Sequence, residues 1–426
     1  MSVYSSGNVK TDYIDPHVNI QGKRTEFHLN ADSGYYSNLR IVNLGANVAG
    51  KNFNKLAGVY SLVKHAYLYD GKKEIDSMRF ANRYLAFTNC LNSNDVNVSI
   101  NRKLVQNAVG FELGGQKEYD TFLRDGSNDG TSALAEKADG VLDCRKLFPI
   151  LNGLLYLDTT NQMKNLRVVI EWESNSQTVF DESAVAYTVI DPILVADEVM
   201  DIGTRNQLAK AQGGVVYNAI EHDAWNVAAN LSAGGDAANL AVENSQSNKI
   251  EGFNNKYVSR VLISKAFSDK TKYGSPVLSY GDLGSLSQHK EKLACRVNGA
   301  NIFAGDGIEH EGFKAKLLAM TYNKVNVAPY TNLESVGTDD INGTAVHRGG
   351  TLGIVGNKQN ERTGSANWIG FSIEDRIRDL NFTYKRTKVK DTRTVQKNNE
   401  ALDIHIYCEV QKQFIKSGSD YEIKYV

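Results

Sequence analysis

Hydrophobic and polar residues alternate along several segments of this chain, as they do in β-strands that have one buried and one exposed face. The clearest case is residues 166–173. Its apolar face carries Leu166, Val168, Ile170 and Trp172. The charged residues of the same segment, Arg167, Glu171 and Glu173, fall on the opposite face. This pattern predicts a half-buried strand.

A second strong alternation covers residues 403–411. Its predicted inward residues are Ile404, Ile406, Cys408 and Val410. Its predicted outward residues are His405, Tyr407, Glu409 and Gln411. Shorter runs of the same kind occur at residues 380–384 and 421–425. Because strands recur along the whole chain, the pattern predicts a protein built mainly from β-structure.

Turn signals separate these runs, and helical patterns are few. Asn298-Gly299 stands between two apolar runs and predicts a two-residue type I′ hairpin turn. Short helices are expected only within residues 141–151 and 197–211. Parallel strands need crossover helices, which are not evident here, so the sheets should be antiparallel. The predicted fold class is all-β: two tandem eight-stranded antiparallel sandwiches with long loops.

The domain organisation follows from two halves of similar layout. The first half closes with strands near 166–173 and 183–190, and a new strand begins at Val215 after a polar stretch. The expected divisions are an N-terminal arm at 1–30, a first sandwich at 31–196, a linker at 197–214 and a second sandwich at 215–426. Each half is long enough for one eight-stranded sandwich. The two halves share no direct residue repeat.

Composition and charge narrow the classes of function. The 426 residues carry a formal net charge of −1, so the chain lacks the positive field of a dedicated nucleic-acid-binding protein. The four cysteines are scattered singly, which indicates reduced thiols in a reducing compartment. We find no signal peptide and no apolar run of membrane-spanning length. A protein of a reducing compartment, neither secreted by the ordinary route nor membrane-spanning, is therefore expected.

The strand and turn segments resemble the double jelly-roll major capsid proteins of polinton-like viruses and virophages, in the adenovirus-like double-barrel lineage. Residues 147–152 with 165–172 are similar to the end of a first jelly roll, and 191–194 to its exit into the linker. Residues 293–299, 402–410 and 421–426 are similar to the paired strands near that family's C-terminus. The resemblance implies two jelly rolls and a non-enzymatic structural role.

The same resemblance implies how such a protein acts. Three chains would form a trimeric, pseudo-hexagonal capsomer, and capsomers would tile an icosahedral DNA-virus shell. The implied partners are other copies of the chain, neighbouring capsomers, and penton and minor capsid proteins. The implied location is the virion, after synthesis in the cytosol of the infected cell. No cofactor and no small-molecule substrate are implied.

Candidate sites for chemistry are weak. Asp125, Ser127, Asp129 and Glu136 occupy positions 1, 3, 5 and 12 of a calcium-loop pattern with Gly130 at position 6. Glycines flank this segment where two helices would be needed, so an ordinary turn loop is favoured. In Glu221-His222-Asp223, alternation sends the histidine to the face opposite both carboxylates, which argues against a metal site. No catalytic residues are assigned.

One basic run stands out after the strand at 380–384. Its cations are Lys385, Arg386, Lys388, Lys390 and Arg393. The simplest interpretation is a solvated turn at one end of the second sandwich. The sharper hypothesis is that the run faces a capsid interior and makes weak contact with packaged DNA or an inner membrane.

Two alternative functions stay open at this point. One is a tandem β-sandwich that binds or cleaves carbohydrate, for which Glu171, Trp172 and Glu173 are the nearest candidates. Alternation places the two carboxylates on the face opposite the tryptophan, which disfavours a shared sugar site. The other is a viral receptor-binding spike, which two similar halves favour less.

Overall fold

The computed structural model describes residues 9–29, 34–48, 51, 53, 58–85, 140–180, 185–211, 213–228, 242–268, 291–303, 307–309, 368–388, 401–418 and 420–426. Strands β1 to β12 are Val9–Ile14, Val18–Ile20, Arg24–His28, Tyr35–Leu44, Ala46–Asn47, Val63–Asp70, Lys73–Arg79, Gly140–Asp143, Leu157–Asp158, Leu166–Trp172, Thr188–Val189 and Ile193–Val199. Strands β13 to β22 are Val215–Val227, Val242–Lys249, Tyr257–Phe267, Glu291–Val297, Ala300–Asn301, Ile308–Glu309, Trp368–Arg376, Leu380–Lys388, Leu402–Ser417 and Asp420–Tyr425.

Helices are short. The α-helices are Cys144–Leu147, Ser176–Phe180 and Ile202–Ala211, and residues 81–85 are also helical. The 3-10 helices are Gly58–Leu62 and Pro149–Asn152. The helix expected within 141–151 is therefore only partly present. Its first residues belong to β8, and Asp143 then caps Cys144–Leu147 by accepting from the Arg145 backbone N–H.

The strands form two antiparallel sandwiches, one from each half of the chain. In the first, the sheet β1-β12-β4-β8, with β9 beside β4, faces the sheet β2-β3-β10-β6-β7. In the second, the sheet β13-β21-β15-β19, with β22 beside β21, faces β14-β20-β16-β17, with β18 beside β16. Among the described strands, no sheet mixes the two halves. The predicted all-β, tandem-sandwich fold class is confirmed.

Residues 9–28 do not form a separate N-terminal arm. Strand β1 pairs with β12 from Val9↔Val199 to Ile14↔Leu194, and β3 pairs with β10. Strand β1 lies at the edge of its sheet, where polar residues are tolerated, and this explains its weak hydrophobic pattern. Strand β12 also continues to Val199, beyond the boundary expected at residue 196.

The turn at Asn298-Gly299 has the predicted form. Both residues have positive φ, 52° and 83°, as a type I′ turn requires. Register pairs Val297 with Ala300 and Arg296 with Asn301 across it. The local sequence thus determines this hairpin.

The apolar side chains predicted to point inward are buried, but one strand, β21, is also buried on the face that was predicted to be exposed. Ile404, Ile406, Cys408 and Val410 lie inside the second sandwich, each at most 2% exposed. On the face predicted to be outward, however, His405, Tyr407 and Glu409 are also buried, at 5%, 1% and 4% exposure. The reason is that the first sandwich covers this face, so Tyr407 and Leu262 belong to the first sandwich's core cluster.

A glycine at the start of β8 gives a test of this packing. A Cβ at Gly140 would lie 2.7 Å from the Leu44 carbonyl oxygen and 2.7 Å from Val59 Cγ2. Gly140→Ala should therefore lower the free energy of unfolding by about 1–3 kcal/mol in chemical denaturation. Gly213→Ala is the matched control, because no atom lies within 4 Å of its Cβ position. Equal stability of the two variants would contradict the packing described here.

Candidate functional site

The two sandwiches meet along a contact that we call the junction. It comprises residues 63–85 of the first sandwich and strands β13, β21 and β22 of the second. Tyr217 Oη donates a hydrogen bond to the Ile75 carbonyl over 3.4 Å, and Tyr407 Oη donates to the Phe80 carbonyl over 3.1 Å. The Tyr84 and Tyr407 rings lie 5.2 Å apart. Tyrosines thus fill the junction with their rings and satisfy backbone carbonyls with their hydroxyls.

Strand β22 holds one end of the junction. Tyr421, 3% exposed, donates through Oη to Asp70 Oδ2 over 3.1 Å. Lys73 Nζ donates to the Tyr421 carbonyl over 2.6 Å and lies 3.8 Å from the centre of its ring. The ring also stacks on Phe414 at 5.3 Å. One tyrosine therefore connects β22 to the β6–β7 hairpin.

A buried carboxyl group, that of Asp76, lies in the junction. Its side chain is 1% exposed, and its two oxygens accept from the backbone N–H groups of Ile150 and Ser77, each over 3.0 Å. Burial raises the pKa of Asp76 to about 7, although these hydrogen bonds and the charge of Lys412 act in the opposite direction. The junction thus contains a carboxyl group that titrates near neutrality.

Three histidines surround the ring of Phe80 in the junction. The ring centres of His65, His222 and His405 lie 4.8, 4.9 and 4.9 Å from that of Phe80. His65 Nδ1 accepts from the Phe80 backbone N–H over 3.0 Å, and His222 Nε2 lies 2.9 Å from His405 Nδ1. We call His65, His222 and His405 the histidine cluster. It joins β6, β13 and β21.

Burial and cations keep the described rings neutral. Burial lowers the pKa of His65 to about 4, assisted by the charges of Lys64 and Arg79 and opposed by Glu173. Burial lowers the pKa of His222 to about 3, assisted by Arg83, His65 and Arg79. Both rings are therefore hydrogen-bonding groups without charge at neutral pH.

The side chains of Glu221 and His222 lie on opposite faces of β13, as alternation predicted. Glu221 accepts from Lys256 Nζ over 2.6 Å and from Tyr425 Oη over 2.7 Å, and it lies 3.0 Å from Lys412 Nζ. Burial alone would raise the pKa of Glu221, but the two lysines and the tyrosine lower it below its ordinary value. His222 points instead to the histidine cluster. Within the described residues, no group of three metal-binding side chains is found.

Among the described strands, the outer edges of β1 and β2 have no neighbouring strand, and they lie away from the junction. In the first sandwich, β7 contacts β13, whereas β1 and β2 lie at the opposite ends of their sheets. Tyr13 of β1 is 72% exposed and Ile20 of β2 is 50% exposed. Apolar side chains beside unpaired strand edges are a common basis for contacts with another chain.

The sequence also predicted two other candidate sites, the calcium-like pattern and the basic run. Asp125, Ser127, Asp129 and Glu136 lie outside the described residues, as do Lys390 and Arg393. Strand β20 continues through Lys388, so Lys385, Arg386 and Lys388 lie in a strand rather than in the expected turn. The register places Lys385 opposite Lys292 of β16.

The carbohydrate alternative gains no support from its candidate residues. Trp172 is 3% exposed, and its Nε1 donates to Thr25 Oγ1 over 2.7 Å, so its ring is not an exposed platform. Glu173 is 7% exposed and accepts from Asn82 and from the backbone N–H groups of Ser174 and Asn175. These contacts give both side chains a structural role.

The described cysteines are buried free thiols, namely Cys144, Cys295 and Cys408. Burial raises the pKa of each thiol well above its ordinary value, so none is a reactive thiolate. In the same part of the chain, no helix has the length and apolar composition that a membrane crossing requires.

Comparison with solved structures identifies the fold. No protein family and no curated protein matches this sequence. Solved structures do match over its full length. The mavirus major capsid protein has a TM-score of 0.53 at 10% identity, covering 99% of this chain and 90% of that one. The 3.5 Å cryo-EM structure of the Sputnik virophage has a TM-score of 0.55 at 10% identity, covering 100% and 90%.

A third match is the crystal structure of PBCV-1 VP54 fitted into a reconstruction of Sputnik, with a TM-score of 0.54 at 11% identity, covering 100% of this chain and 99% of that one. At such low identity the likeness defines the fold. The chain therefore has the double jelly-roll fold, as its sequence resemblance predicted.

The buried carboxyl of Asp76 predicts a pH dependence. Its pKa is about 7 in the folded chain and near 3.9 when unfolded, so the stability it contributes is complete below pH 3.9 and is lost as pH rises to 7. Asp76→Asn removes this titration but leaves two backbone donors with one acceptor oxygen. In urea titrations at pH 5, the free energy of unfolding of the variant should be lower than that of the wild type by about 1–3 kcal/mol for the unpaired donor. It should be lower still because the variant lacks the stabilisation that the protonated carboxyl gives the wild type. This deficit should shrink by about 1.4 kcal/mol per pH unit as the pH rises towards 7. Parallel stability curves for variant and wild type would contradict the assignment.

Proposed function

We propose that this chain is a non-enzymatic major capsid protein of an icosahedral DNA virus. The observation that carries the proposal is the match of the whole chain, both sandwiches together, to virophage and PBCV-1 capsid proteins. A single sandwich is a common architecture with many functions. Two sandwiches joined side by side through one buried junction are a far more specific arrangement. The protein's location would then be the virion, after synthesis in the host cytosol.

We further propose that three chains form a pseudo-hexagonal capsomer. Each chain offers two similar sandwiches whose free sides are different, because the first ends at β1 and β2 and the second at other strands. A contact between two different surfaces is heterologous, and copies joined in this way form a ring when the rotation closes. Three chains would supply six similar units around that ring. A net charge of −1 permits many copies to pack without strong repulsion.

The exposed edge residues of the first sandwich provide the test. Light scattering behind a sizing column should give wild-type particles near three times 47.0 kDa, with hexagonal outlines in negative stain. Tyr13→Glu combined with Ile20→Glu places two charges on the free edges, so the trimer should dissociate to monomers while the circular dichroism spectrum stays unchanged.

A matched control is Ile202→Glu, which introduces a charge at a side chain that is equally exposed, at 72%, but lies on the linker helix. The control should keep the mass of three chains. A wild-type chain that stays monomeric at micromolar concentration and forms no hexagonal particles would overturn the proposal.

We propose that the shell built from these capsomers also contacts other capsid components. Penton and minor capsid proteins are the partners that a closed icosahedral shell would require at its vertices and seams. We also propose a weak contact with packaged DNA through the outer face of the β14-β20-β16 sheet. Register sets Lys292 of β16 beside Lys385 of β20, and Arg296 lies exposed further along β16. These side chains carry positive charge on one half-exposed surface, which suits phosphate groups.

Charge reversal at this surface tests the DNA contact. Lys292→Glu combined with Lys385→Glu should leave capsomer mass unchanged but reduce the nucleic acid content of assembled particles. For isolated capsomers, the slope of log affinity for DNA against log salt should fall by about 2. Lys424→Glu, at an exposed lysine of β22, is the control and should leave both quantities unchanged. Normal packaging by the double variant would rule this contact out, and binding of the wild type to anionic vesicles alone would assign the surface to a membrane.

A further inference from the structure

We propose that the histidine cluster makes the junction acid-sensitive, so that protonation of His65, His222 and His405 separates the two sandwiches. The inference concerns the single chain and does not depend on its assembly into capsomers. It rests on hydrogen bonds that require neutral rings, on a strained residue at the centre of the cluster, and on the charges that surround it.

Protonation of His65 would break its hydrogen bond with the Phe80 backbone. A protonated imidazole cannot accept a hydrogen bond, so protonation at Nδ1 breaks the contact with the Phe80 backbone N–H. Phe80 has a positive φ of 49°, which a bulky side chain rarely adopts and which neighbouring contacts must maintain. The Phe80 carbonyl keeps its other contacts, since it accepts from Tyr407 Oη over 3.1 Å and from the backbone N–H groups of Arg83 and Tyr84 over 3.1 and 3.2 Å. Loss of the His65 contact therefore weakens the residue that connects both sandwiches.

His222 and His405 form a hydrogen-bonded pair within the cluster. Their nitrogens lie 2.9 Å apart, so one must donate and the other must accept. Full protonation of both rings would place two donors and two positive charges face to face. Tyr407 and Phe80 line the same space, with ring centres 4.9 Å from that of His222, and they offer no negative charge. The pair is thus stable only while at least one proton is absent.

Cations of the first sandwich oppose protonation of the cluster. On the first sandwich, Lys64, Arg79 and Arg83 act on the described rings, and Arg83 is itself 4% exposed. The opposing carboxylate, Glu173, already accepts from Asn82 and two backbone N–H groups. On the second sandwich, Glu409 of β21 is paired with Arg260 of β15 over 2.6 Å. The charge of Glu173 favours protonated His65, but burial and the charges of Lys64 and Arg79 outweigh it.

The direction of the pH effect follows from these groups. The pKa values of His65 and His222, about 4 and 3, are below the ordinary value of 6.5, so their stabilisation is present above pH 6.5 and is lost as pH falls. Asp76 has the opposite sign, because opening the junction below pH 7 releases its proton. Among the groups whose pKa is shifted, His65 and His222 take up two protons and Asp76 releases one, which leaves a net tenfold rise in the open fraction for each pH unit between about pH 6 and pH 4.

Hydrogen exchange of the intact chain tests the proposal. Peptides covering residues 63–85 and 402–412 should gain exchange, corrected for the intrinsic pH dependence, about tenfold per pH unit between pH 6 and pH 4. His65→Asn keeps an acceptor near the position of Nδ1, and His222→Gln with His405→Asn keeps a neutral hydrogen-bonded pair. The triple variant should keep these peptides protected to below pH 4. In Asp76→Asn, the increase in exchange should reach about a hundredfold per pH unit, because residue 76 no longer releases a proton when the junction opens.

A control and a second readout keep the outcome decisive. His17→Gln removes an exposed histidine far from the junction and should leave the exchange profile unchanged. If the triple variant does not fold, histidine resonances of the isotopically labelled wild type give the answer, because those of His65 and His222 should not titrate between pH 7.5 and pH 5. Titration of these rings near pH 6.5, or junction peptides that stay protected to pH 4 in the wild type, would overturn the proposal.

Discussion

The rest of the structure depends on the burial of strand β21 on both faces and along both edges. Its inward face supplies the core of the second sandwich, and its other face lies against the first sandwich. One edge pairs with β13, and the other pairs first with β15 and then with β22. Polar groups buried in this way need partners, and Tyr407, His405 and Glu409 find theirs in Phe80, His222 and Arg260. The Tyr407–Phe80 contact crosses between the sandwiches, whereas His222 and Arg260 belong to the second sandwich, so β21 combines the core of one sandwich with a polar link to the other.

The fold was largely predictable from local pattern, and the exceptions share a physical cause. Alternation identified the strands at 166–172 and 404–410, and Asn298-Gly299 identified a hairpin. Alternation shows which residues of a strand are apolar, but it does not show whether another part of the chain covers the polar residues. It therefore placed Tyr407 and His405 in solvent although the first sandwich buries them. Likewise the N-terminal arm expected at 1–30 contains β1, because an edge strand carries few apolar residues and gives only a weak alternation.

The candidate site could not be assembled from the sequence, because its parts are far apart along the chain. His222 and His405 are separated by 183 positions, and neither lies in a recognisable motif. One signal was available: the supposedly exposed face of β21 carries a tyrosine and a histidine where lysine or threonine would suit water better. The calcium-like pattern at Asp125, Ser127, Asp129 and Glu136 stays a prediction, because these residues lie outside the described part of the chain.

The contact between Tyr421 and Asp70 spans 351 positions of the chain, and this distance constrains how the protein is made. At synthesis rates of roughly 5–20 residues per second, the β6–β7 hairpin exists for many seconds before β22 leaves the ribosome. Throughout that time Lys73, Ile75 and Phe80 have no second sandwich to cover them. A nascent chain therefore exposes the surface of this hairpin that the second sandwich later covers, and transiently exposed apolar surface of this kind is prone to aggregation.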